Sequence, residues 1–130
     1  MFISMKFREF ILSTGKKIYL GKSAEDNDEL VKEFVGKENI ILHTVSPGSP
    51  FCVIEDLKPT KKEIKEAGTI CASKSQDWRD NKKDVKISVF SGKDVKKEKR
   101  MKTGTWEVNK KSKMINIKKI EIEEFLKCMQ

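Results

Sequence analysis

Apolar and polar positions follow two rhythms along this chain, and the changes from one to the other outline its elements. Phe7 to Leu12 and Lys17 to Leu20 are strand-like runs around Ser13-Thr14-Gly15-Lys16, a turn composition, so the chain opens on a β-hairpin. Ser23-Ala24-Glu25-Asp26 then reads as a capping box. Leu30, Val31, Phe34 and Val35 follow at helical spacing and Gly36 closes the segment, which predicts an amphipathic helix over 24–35 with Asn27 on its apolar face. Ile40 to Val45 and Phe51 to Ile54 predict two short strands around Ser46-Pro47-Gly48-Ser49-Pro50, whose prolines and glycine restrict the backbone.

Thr60 and Glu63 form a second capping box, and Ile64, Ala67, Ile70, Cys71, Lys74 and Trp78 track one side of a helix expected to run to about Trp78. Gly68 lies inside that helix at a cost of about 1 kcal/mol relative to alanine, so another backbone is expected to approach there. Val85, Ile87 and Val89 alternate with Lys86 and Ser88 as in a half-buried strand. Trp106 and Val108, then Met114 to Ile117, read as a terminal hairpin across Asn109 to Lys113. Residues 120–128 read as a short helix with Ile122, Phe125, Leu126 and Met129 inward. The order predicts an α+β fold, a mostly antiparallel sheet with two main helices and a short C-terminal helix, in one domain over 1–130.

Composition narrows the functional classes. No stretch approaches the roughly 20 apolar residues of a membrane span, and the N-terminus lacks a basic region followed by a long apolar run, so a cytoplasmic protein is expected. Cys52, Cys71 and Cys128 are scattered and odd in number, with one histidine in the chain, so reduced, mostly buried thiols and no metal site or cofactor are expected. The net charge of +8 is unevenly spread. Residues 1–92 hold 16 Lys/Arg against 14 Asp/Glu, 93–119 hold 11 against 3, and 120–130 hold 1 against 3. The excess therefore sits in one segment, which is either a patch for a polyanion or a lysine-rich solvated face.

Catalysis has little to stand on. His43, the sole histidine, has no nucleophile motif and no second histidine at ligand spacing. Its alternation with Ile41 and Val45 is that of a core or sheet-face residue. The loop that follows offers the Ser46 and Ser49 hydroxyls and an unhindered Gly48 amide, which suit a phosphate or carboxylate as well as a tight turn. Ser73-Lys74-Ser75 and Arg79 add donors suited to phosphate oxygens, while Trp78 suits either a core anchor or a base-stacking platform. Lys96 to Lys102 carries five cations in seven residues, with Gly104 permitting close backbone approach.

Several segments together resemble a known family. Met5-Lys6-Phe7-Arg8-Glu9-Phe10, Gly21 through Asn27 to Val31, His43 through Gly48-Ser49-Pro50, Glu66-Ala67 through Ala72-Ser73-Lys74-Ser75, and Val95-Lys96-Lys97 through Gly104-Thr105 occur in the order and spacing of the NFACT-R domain. That is the RNA-binding domain of the ribosome quality-control factors first labelled fibronectin-binding-like. The resemblance spans roughly residues 5–118 and is to the standalone form of the domain; the stretch Thr44-Val45-Ser46 departs from the family's usual pattern.

The resemblance implies a non-catalytic RNA-binding domain for tRNA or ribosomal RNA, with the large ribosomal subunit as a possible partner, in translation or its quality control. Read onto this chain, Lys74, Arg79, Lys97, Lys99, Arg100 and Lys102 are expected at phosphates. His43, Ser46 and Ser49 form a polar pocket, Gly48 and Gly104 allow close approach, and Asn27 and Trp78 act as scaffold. The rival expectation is an adaptor that docks on an acidic ribosomal or quality-control protein.

Overall fold

The computed structural model describes residues 7–98, 100–108 and 112–129. Its centre is a six-stranded sheet in the order β1-β2-β4-β3-β5-β8, every adjacent pair antiparallel. The strands are β1 (Arg8–Ile11), β2 (Lys17–Leu20), β3 (Ile40–Thr44), β4 (Cys52–Ile54), β5 (Val85–Ser91) and β8 (Lys113–Ile117). A separate two-stranded ribbon joins β6 (Val95–Lys96) to β7 (Glu107–Val108). Helices α1 (Ala24–Phe34), α2 (Lys61–Ser73), α3 (Gln76–Asn81) and α4 (Lys119–Cys128) complete the expected α+β fold.

Strand alternation divides the core into two layers. Ile18, Leu20, Leu42, Cys52, Ile54, Ile87 and Ile117 pack with Ala67, Ile70 and Cys71 of α2 and Ile122 of α4. On the other face Tyr19, Ile41, Val53 and Phe90 pack with Leu30, Val31 and Phe34 of α1, and the ribbon adds Val95 and Val108, with Trp106 just before β7. The opening hairpin closes through the Leu12 amide donating to the Lys16 carbonyl at 2.7 Å, with Gly15 at φ +92°.

Both predicted helix starts are present. The Ser23 hydroxyl accepts the Asp26 amide at 3.1 Å. At α2 the box is reciprocal: the Thr60 hydroxyl accepts the Glu63 amide at 3.1 Å while Glu63 Oε1 accepts the Thr60 amide at 2.8 Å. The Glu63 carboxylate also accepts from Thr14 and from the Lys16 ammonium, tying the first hairpin turn to the helix. The Thr14 hydroxyl, then the Thr60 backbone and Lys16, hold its pKa at about 2.

Other expectations need correction. The helix predicted to continue to Trp78 stops at Ser73, because the Ser75 hydroxyl accepts the Trp78 amide at 3.1 Å and caps a new short helix instead. The terminal hairpin does not form. The β7 strand pairs with β6, while β8 crosses to β5 in the register Val85 to Ile117, which buries Ile117 under α2. Residues 109–111 of its predicted turn lie outside the described residues. At Gly68 the close neighbours are side chains and not backbone, for an added Cβ would lie 3.1 Å from Ile115 Cδ1 and 3.2 Å from Ile117 Cδ1. In α4, Ile122 is buried and Phe125 and Leu126 pack on the core, but Met129 follows the last helical residue and is 58% exposed. Cys52 and Cys71 are buried free thiols and Cys128 is an exposed one.

Candidate nucleic-acid interface

The β3–β4 loop is pinned from two sides. The Gly48 carbonyl accepts the Gln76 amide at 2.9 Å, which joins the loop to the break between α2 and α3. Gly48 has φ +90°, and a Cβ there would lie 2.5 Å from the Gln76 side chain, so a larger residue meets both strain and collision. At the other end of the loop, Asn27 Oδ1 accepts the Phe51 amide at 3.0 Å and holds it to α1. Ser49 acts within the turn: its hydroxyl accepts the Thr44 amide and donates to the Pro50 carbonyl, both at 3.2 Å. The break in the long helix is thus what brings Lys74, Gln76 and Arg79 beside the histidine strand.

His43 lies on the α1 face, opposite Ser88 in the adjacent strand. Its ring stacks on Phe51 with centroids 4.2 Å apart and planes 27° apart. Burial lowers its pKa below the usual 6.5, opposed by backbone hydrogen bonding at Thr44 and Ser49, so the ring is neutral at physiological pH.

The basic segment is organised by a residue with no distinguishing local signal. Oδ1 of Asp28 accepts three hydrogen bonds: Lys97 Nζ at 2.8 Å, the Gly104 amide at 2.8 Å and Trp106 Nε1 at 3.0 Å. The Lys97 ammonium also donates to the carbonyls of Lys102 and Thr105, both at 3.0 Å, and stands 5.2 Å from the Trp106 ring centroid. An ammonium has three donors, so Lys97 has none left for a phosphate. Its expected role is corrected to that of an anchor. Gly104, at φ +85° with a virtual Cβ 2.9 Å from Ala24 Cβ, lets the segment settle on the first turn of α1. Arg100 and Lys102 are exposed, and Lys99 lies outside the described residues.

Between these parts lies a cleft of about 760 Å³. Of the predicted residues it collects Asn27, His43, Gly48, Ser49, Lys74, Arg79 and Gly104 in its lining. Ser46, Lys97, Arg100 and Lys102 are not among the lining residues. Trp78 is buried in the core on the α2 face, with the Lys82 ammonium 5.0 Å from its ring centroid. Sequence reasoning missed Arg8, Lys22, Ser88, Thr103, Thr105 and Trp106, which also line the cleft.

Four cations, Arg8, Lys22, Lys74 and Arg79, therefore face one concavity from four separate segments, and no Asp or Glu belongs to its lining. Lys74 stands 5.8 Å from the Phe10 ring centroid, and Arg79 pairs with the exposed Asp80 at 3.3 Å. With little internal neutralisation and low-dielectric walls, such a concavity attracts anions. Among the described residues, no group of His, Cys, Asp and Glu could hold a metal ion, and no helix is long and apolar enough to cross a membrane.

This architecture has a solved counterpart. The C-terminal part of the fibronectin/fibrinogen-binding protein from Streptococcus suis superposes with a TM-score of 0.78 over 92% of this chain, at 21% identity. The match takes in 49% of that structure, so the chain spans about half its length. No curated protein matches this chain. The pattern of the NFACT protein RNA binding domain matches residues 6–110, which include both helix caps, the pinned loop and the ribbon. With that pattern extending over most of its length, the chain belongs to the NFACT RNA-binding domain family.

Proposed function

We propose that this chain is a non-catalytic module that holds tRNA or ribosomal RNA in the cleft, in translation or ribosome-associated quality control in the cytoplasm. The observation that carries the reading is the lining: Arg8, Lys22, Lys74 and Arg79 converge there without a carboxylate among them. Membership of an RNA-binding domain family supports the polymer, and the resemblance to the quality-control factors supports the setting. A module of this kind grips the phosphate backbone and is tolerant of sequence. His43 fits a binding role, because its ring is neutral and packed on Phe51 and no carboxylate belongs to the cleft lining to orient it as a base.

The test is a titration with tRNA at several salt concentrations, comparing wild type with a variant carrying Arg8→Gln, Lys22→Gln, Lys74→Gln and Arg79→Gln. Each lost phosphate contact lowers the magnitude of the slope of log affinity against log salt by about 0.7 to 0.9, so for the variant that magnitude is expected to fall by about 3. Circular dichroism checks that it remains folded. An unchanged slope in a folded variant transfers the cleft to an acidic protein partner.

A further inference from the structure

The cleft contains two kinds of group that a grip on phosphates alone does not use. One is aromatic: the neutral His43 ring lies on Phe51 at 4.2 Å, and Phe90 and Trp106 line the adjoining wall. The other is neutral and polar. Gln76, Ser88 and Thr103 line the same space, and their side chains make no hydrogen bond within the chain among the described residues. They are left with donors and acceptors to offer a ligand.

An RNA double helix cannot use this combination. Its bases are stacked inside, its major groove is too deep and narrow for side chains, and it presents phosphates and 2′-hydroxyls outward. A concave site meeting that surface leaves its aromatic floor unused. An unpaired nucleotide uses both kinds of group together with the cations. A base presents a flat face to an aromatic ring and a polar edge to hydroxyl and amide groups, and its flanking phosphates need cations close by. The cleft volume of about 760 Å³ falls in the range of sites that enclose a small organic ligand, with room for a base, its ribose and a phosphate.

We infer that the cleft receives one unpaired nucleotide of an RNA strand, its base against the His43–Phe51 stack and its phosphates held by Arg8, Lys22, Lys74 and Arg79. The inference rests on the RNA-binding reading of the cleft and specifies the form of RNA. Hydroxyl and amide partners both donate and accept, so the site accepts more than one base. Preference comes from the absence of pairing and not from sequence.

Fluorescence anisotropy with the whole chain tests this using three labelled probes: a blunt RNA duplex, the same duplex with a single unpaired terminal nucleotide, and a single strand. The overhang and the single strand are expected to bind about tenfold more tightly than the blunt duplex, the worth of one base stacked on an aromatic group. His43→Ala is expected to shrink that gap to below about threefold, and His43→Phe, which keeps an aromatic face, to retain it. Equal binding of all three probes, weakened equally by the four cleft substitutions, overturns this inference and leaves RNA binding at the cleft standing. Absence of binding to any probe overturns both. A gap that survives His43→Ala in a folded protein removes the stacking role.

Discussion

Leu42 and His43 are neighbours in β3 and face opposite sides of the same sheet, and the two sides are built differently. Leu42 points into a layer covered by α2 and α4, where it is fully buried among aliphatic side chains. The side of His43 is covered by α1 alone, supplemented by the two-stranded ribbon. An 11-residue helix is roughly 16 Å long, while six strands spaced about 4.8 Å apart extend roughly 24 Å across, so one such helix cannot roof the whole face. The cleft opens where that face meets the β3–β4 loop and the α2–α3 junction. The covered face supplies stability, and the partly covered one leaves aromatic and polar groups accessible.

The largest effect that would sharpen this contrast is expected on the covered face. Leu42→Ala should lower unfolding free energy by about 2 to 5 kcal/mol, as buried leucine truncations do, read from denaturant titration. A loss below about 1 kcal/mol would show that this layer is not the tightly packed one.

A smaller effect is expected at the partial roof. Asp28→Ala removes the acceptor shared by Lys97, Gly104 and Trp106. It should cost about 1 to 2 kcal/mol, since the pair is partly exposed and one charged acceptor serves three donors. Amide exchange should accelerate across residues 97–108 while β3 and β5 stay protected. Arg100→Gln and Lys102→Gln, both on exposed side chains, should stay within about 0.5 kcal/mol of wild type. Ribbon protection unchanged in Asp28→Ala would break the claim that one carboxylate holds the roof in place.

The smallest effect is a pH dependence. Burial holds the folded-state pKa of His43 below the ordinary 6.5 of the unfolded chain. Between those two values the unfolded chain binds more protons, so this histidine lowers stability as pH falls below 6.5 and has no such effect above it. His43→Phe should remove that acid-side loss, measured as the difference in denaturation midpoint between the two proteins across pH 5 to 8. Parallel curves would place the ring in water and erase the distinction between a packed His43 and an exposed one.

Much of the frame was legible locally. The Thr60–Glu63 box, the helical spacing of Leu30, Val31 and Phe34, and the alternation of Val85, Ile87 and Val89 are decided by residues within a turn or two of each other, and each marks a real element. The Gly48 turn and Asn27 on the apolar face of α1 were likewise visible, as was a family resemblance carried by several such segments in order.

What the sequence by itself determined about this protein was most of its elements and the caps of α1 and α2. Only the tertiary structure decided their partners and the fate of each charge. Nothing in Trp106 to Ile117 states that β7 pairs back to β6 while β8 crosses to β5, because strand pairing is settled by which edge is free and which face must be buried. The charge excess of the 93–119 segment pointed to its lysines as one patch, yet Lys97 pairs with Asp28, 69 positions away, and donates its other two hydrogen bonds to the carbonyls of Lys102 and Thr105. Meanwhile Arg8 and Lys22, outside that segment, join Lys74 and Arg79 in the cleft. Hydrogen bonds and Coulomb attraction act over a few ångströms of space, whatever the distance along the chain, so the role of a charge is fixed only when folding has chosen its neighbours.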